Sequence, residues 1–100
     1  MIELEFLLIQ TVLGSLNVNR CHLDDFRLPE AKIENLRIED SVIANSKFEG
    51  MKAKVVFFNN VTLDGELNFT GAHVDKLETH NITKQPGLNL ITTGSNVHLE

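Results

Sequence analysis

The side chains able to do chemistry are few in this chain of 100 residues, and they are spread along it. His22, Asp24 and Asp25 stand together in "CHLDD", where an imidazole beside two carboxylates has the residue types of general acid–base work. Turn chemistry accounts for the two aspartates more simply, because short carboxylates hydrogen-bond their own backbone. The remaining imidazoles, His73, His80 and His98, recur at no metal-binding spacing, so a pair shares an ion only if the fold joins them. Cys21 is the single cysteine, which excludes an intrachain disulfide and a cysteine-rich zinc site. It reads as a small, buried, unreactive thiol. No Gly-rich phosphate loop, nucleophile elbow, HExxH or CxxC motif occurs. The expectation is a protein that is not an enzyme, with no catalytic residue, no metal and no cofactor.

Three Asn-x-Thr sequons, at Asn60, Asn68 and Asn81, would matter for glycosylation only in a eukaryotic secretory setting. A secretory signal is not expected, since "MIELEFLLIQTVLGSL" has Glu3 and Glu5 where a basic region would stand and no basic residue before Arg20. Its apolar run is also too short to span a bilayer. A net charge of −5 argues against a broad nucleic-acid-binding surface. The expected setting is cytoplasmic, with no membrane and no direct nucleic-acid partner.

What must position these side chains is a five-residue period. Cut in fives from Phe6, the chain reads FLLIQ, TVLGS, LNVNR, CHLDD, FRLPE, AKIEN, LRIED, SVIAN, SKFEG, MKAKV, VFFNN and VTLDG. The third position, from Leu8 and Leu13 through Ile38 and Ile43 to Leu63, is apolar in every block. With 42% of residues apolar, such a run arises by chance at odds on the order of one in several thousand. First positions are apolar, Ser or Thr, and fifth positions are polar or Gly except at Val55. Strand geometry puts positions one and three on one face. A strict two-residue period would bury position five as well, but Asp25, Glu30, Asn45 and Gly50 are residues of tight turns. The chain therefore turns a corner every five residues, and four corners close a coil. After Gly65 the frame shortens by one residue and resumes with Leu67, Ala72, Leu77 and Ile82 at its centres, until Pro86 and Gly87 end it.

Blocks such as AKIEN, LRIED, SVIAN and SKFEG make the frame resemble the pentapeptide-repeat proteins. The resemblance implies an all-β fold, a right-handed quadrilateral β-helix of about four coils over residues 6–84. Residues 1–5 would form an N-terminal cap or edge segment, and residues 85–100 a C-terminal cap or tail. The family favours small first-position residues, and Phe26, Leu36, Met51, Val56 and Val61 depart from that, so some coils are expected to swell. Two competing readings remain: a β-sandwich of short alternating strands, and a helical cap over residues 4–17 with Phe6, Ile9, Leu13 and Leu16 on one stripe.

Coil geometry stacks residues twenty apart, placing Arg27 over Lys47 and Lys32 over Lys52 with carboxylates two residues along, a candidate charged surface. An ordinary solvated face with short-range charge pairing is the simpler account of it. Leu7, Ile9 and Val12 face outward in the first coil, where later coils carry polar groups. An open solenoid end templates association, so these three are the candidate self-association residues. The expected function is a protein-interaction scaffold with a protein partner, self-associating through its first coil; the resemblance also implies a domain of a larger bacterial protein, exported as part of a bacterial effector where it is not cytoplasmic. Some pentapeptide-repeat proteins resemble duplex DNA and bind type II topoisomerases, which implies the alternative; four coils of roughly 4.8 Å are short for a duplex turn. End-to-end stacking into polymers is a third reading.

Overall fold

The computed structural model describes residues 2–4, 12–28 and 30–99, with residues 2–4, 12 and 13 described by backbone alone. Among the described residues, seven strands form one sheet: β1 (Ile2–Leu4), β2 (Val12–Asn19), β3 (Cys21–Asp24), β4 (Lys32–Lys47), β5 (Lys52–Asn68), β6 (His73–Lys84) and β7 (Asn89–Ile91). Every pairing is parallel, and the chain coils into a β-solenoid of about four turns. Consecutive strands of a sandwich would pair antiparallel through hairpins, so that reading falls. The helical stripe falls as well, because Val12–Asn19 is strand; residues 5–11 lie outside the described residues.

Register follows the twenty-residue coil. Lys32 pairs Lys52, Ile38 pairs Phe58 and Ile43 pairs Leu63. Positions one and three point inward as the frame requires: Leu23, Leu28, Ile38, Ile43, Phe48 and Leu63 are all fully buried. Two of the large first-position residues, Phe26 and Met51, have small ones in register one coil away, whereas Leu36 stacks on Val56 and Val56 on Leu77. Ser46 pairs Leu67 and lies across from Phe26, whose N–H it receives at 3.2 Å, and Met51 stands between Ala31 and Ala72, which lie in the same core. Buried Ser41 and Ser46 use their hydroxyls locally, donating to the carbonyls of Glu39 and Ala44. The Phe48 and Phe69 rings stack with centroids 4.8 Å apart, so the strand spacing of about 4.8 Å sets the ring spacing too.

Fifth positions make the corners. Arg20, Asp25, Glu30, Asp40, Asn45, Asn60 and Asn81 have φ between 50° and 57°, and Gly50, Gly65 and Gly71 lie near them in the same left-handed region. Among the described residues, only the corner at Ser15, Asn35, Val55 and Lys76 turns without a left-handed residue. That explains the one apolar exception in the frame: a β-branched side chain resists positive φ, and Val55 is not asked to adopt it.

The frame after Gly65 requires a correction. Ser46 pairs Leu67, Ala53 pairs Val74 and Val56 pairs Leu77, so the coil lengthens by one residue rather than shortening. Leu67, Ala72, Leu77 and Ile82 are thus first positions, and the third positions are Phe69, Val74, Thr79 and Lys84. The register shifts between Ala44 and Ser46, opposite the corner where Glu66 is added. Its N–H is received there by the Asn45 side-chain oxygen at 3.2 Å.

Thr79 and Lys84 put polar groups where Phe58 and Leu63 stand one coil earlier, so the apolar rows stop on two sides. The last segment covers part of this end. Asn96 accepts from the Val74 N–H at 2.8 Å and donates to the Val74 carbonyl at 2.7 Å, standing in for a strand, while Val97 and Leu99 are buried in the core.

Candidate functional site: the charged sides of the coil

The coil presents four sides, each two columns of outward side chains held in register by the ladder. Every expected cation stacks where the frame places it: Arg27 bridges Lys47, and Lys32 pairs Lys52, which pairs His73. The expected partners two residues along do not all form. Arg27 turns back to Asp25 with Nε–Oδ1 of 2.9 Å and Nη2–Oδ2 of 3.0 Å; two residues after Arg27 the sequence has a proline and not a carboxylate. That side-chain hydrogen bond, and then the charge of Asp25, raise the Arg27 pKa above its ordinary value. Glu34 is taken by Lys54 of the next coil at 3.1 Å rather than by Lys32. Among the described residues, Lys32, Lys47 and Lys52 form no ion pair.

The side carrying Arg37 holds a cluster that sequence reasoning passed over. The Arg37 guanidinium carbon lies 4.3 Å from the Phe57 ring centroid, and the His80 ring lies 5.6 Å from it on the other side. Glu39 fixes Arg37 at 2.6 Å, and Glu78 holds Lys76 at 3.2 Å. Phe57 therefore packs between two neighbours instead of standing alone. The twenty-residue stacking already put Arg37 over Phe57 in the sequence; the next coil pairs Phe57 with Glu78, and His80, two residues along, reaches the ring only by its side-chain path.

The side carrying Lys32 places two lysines and a histidine in one column. A shallow groove of about 380 Å3 runs across it, lined by Lys32, Lys52 and His73 on one wall and Glu34, Lys54 and Asp75 on the other, with Ile33 and Ala53 as floor. His73 sits 3.2 Å from Asp75.

The acid–base and modification candidates separate. Asp25 is held by Arg27, while Asp24 accepts from Asn45 at 3.3 Å. Cys21 is half-buried, its thiol near the Asn19 carbonyl at 3.4 Å. Among the described residues, no three His, Cys, Asp or Glu side chains gather to hold a metal, and no helix is long and apolar enough to cross a membrane. The sequon amides serve the corners: Asn60 donates to Asp40 at 2.9 Å and Asn81 to Asn60 at 3.2 Å. Leu7 and Ile9 lie outside the described residues; the Val12 backbone heads the column of Lys32, Lys52 and His73.

No protein-family model, curated protein or solved structure matches the chain.

Proposed function

We propose that this chain is a non-enzymatic protein-interaction scaffold of the pentapeptide-repeat type, self-associating through its first coil around Leu7, Ile9 and Val12, or serving as a domain of a larger bacterial protein. The observation that supports it is the register: outward side chains stand in fixed columns on a backbone whose polar groups are used up in the ladder. Such a surface is preorganised, so a partner meets it without ordering it first. The groups that could do chemistry are instead engaged singly with neighbours, as Asp24, Asp25, His73 and Asn60 are. DNA mimicry carries less: the longest extent is 29 Å, against about 34 Å for one duplex turn, and the sides mix both signs.

Sedimentation of the chain tests self-association. The expected result is a sedimentation coefficient that rises with concentration, and a return to monomer in the Leu7→Lys, Ile9→Lys double variant with its β-rich circular dichroism unchanged. A wild-type chain that stays monomeric at high concentration overturns self-association, and loss of fold in the variant reassigns Leu7 and Ile9 to the core.

A further inference from the structure

We infer that the groove on the Lys32 side receives an extended acidic peptide segment of a partner protein, with the Lys32 and Lys52 ammonium groups taking its carboxylates. This rests on the scaffold reading and names the surface and the class of partner. Like charges directly opposite in a sheet are unfavourable, and here two lysines and a histidine stand in one column at successive coils about 4.8 Å apart. Most other cations of the coil have a partner: Arg27 takes Asp25, Arg37 takes Glu39, Lys54 takes Glu34 and Lys76 takes Glu78, while Lys47 stays unpaired but stacks on an Arg27 that Asp25 neutralises. Lys32 and Lys52 are left without an ion pair among the described residues, on a chain with a net charge of −5. A local electrostatic conflict that the surrounding sequence could have removed is where a fold bends its rules for a ligand.

The opposite wall sharpens the class. Glu34 is engaged by Lys54, and Asp75 lies against His73, so Lys32 and Lys52 are the two groove cations that no neighbouring carboxylate takes. An extended peptide repeats its same-face side chains about every 6.7 Å, and the flexible lysine stems reach that spacing from neighbouring coils. A nucleic acid is disfavoured because the positive column is one side chain wide and borders Glu34 and Asp75.

Titrating the 15N-labelled full chain with a dodecapeptide of alternating Glu and Ser tests this, with the Gln–Ser peptide and a twelve-nucleotide oligothymidylate as comparison probes. The expected result is amide shifts confined to residues 32–34, 52–54 and 73–75, with affinity falling at least tenfold for the Gln–Ser peptide and for the Lys32→Gln, Lys52→Gln double variant. Lys84→Gln should bind as wild type. The double variant should melt no lower than wild type, since it removes a repulsion, which separates lost binding from lost fold. Equal binding by the double variant, shifts on another side, no binding at millimolar peptide, or oligothymidylate binding as tightly in the same groove each overturns the assignment. Self-association in the sedimentation experiment is independent of all four, so the scaffold reading can stand if the groove does not.

Discussion

A Cβ added to Gly65 would collide with the side-chain oxygen of Asn45, the residue stacked one coil above it. That oxygen receives the Glu66 N–H, so the corner where the coil gains a residue is held by one carboxamide and needs a bare backbone beneath it.

Gly65→Ala therefore meets two costs. Its φ of 64° is left-handed, which costs an alanine about 1–2 kcal/mol, and the displaced Asn45 loses a hydrogen bond worth about 1 kcal/mol. Calorimetry should show a melting temperature lower by roughly 10–20 °C. Gly14 lies in β2 with nothing within 4 Å of an added Cβ, so Gly14→Ala should be neutral or stabilise by about 0.5 kcal/mol.

The two kinds of corner should respond oppositely to a β-branched side chain. Asn60 has φ of 55° and donates to Asp40 while accepting from Asn81. Asn60→Val should cost about 2–3 kcal/mol in urea unfolding, from left-handed strain and a broken amide ladder. Val55→Asn, at the corner without positive φ, should change stability by less than about 1 kcal/mol. Equal effects at the two sites would mean that backbone angle does not decide corner residues.

This contrast also marks how far the sequence could be read. Apolar third positions and turn-forming fifth positions are one-dimensional signals, and they yielded the inward rows, the corners and the stacking of Lys32 on Lys52. The direction of the slip after Gly65 was misread because first and third positions both point inward, so apolar Leu67 and Ala72 fit either frame. The corner residues carried the missing information: Gly71 and Asn81 immediately precede Ala72 and Ile82, as fifth positions precede first ones, whereas a shortened frame sets Phe69 and Val74 at corners. Pairing choices such as Glu34 with Lys54 were beyond reach, because they depend on side-chain paths between coils rather than on spacing.

Phe48 tests the stacked core. It is fully buried, parallel to Phe69 and edge-on to Phe26 at 6.0 Å between centroids. Phe48→Ala should cost about 3–5 kcal/mol, a large share of the stability of a domain this size. Phe48→Leu keeps most of the volume and should cost about 1–2 kcal/mol. A denaturant midpoint unmoved by the alanine variant would show that the row is not packed as described.

The end of the solenoid gives the last test. Asn96 makes with one side chain the two hydrogen bonds that another strand would offer Val74, and it leads directly into buried Val97 and Leu99. Asn96→Ala leaves the Val74 N–H and carbonyl without that partner, at a cost of about 1–3 kcal/mol, and loosens the segment that closes the core. An exposed sheet edge templates association, so the variant should both melt lower and sediment faster as concentration rises. Amide exchange at Val74 should accelerate more than at Ile38, which keeps its ladder on both sides. Unchanged exchange at Val74 would mean that the side chain of Asn96 does not cap the coil.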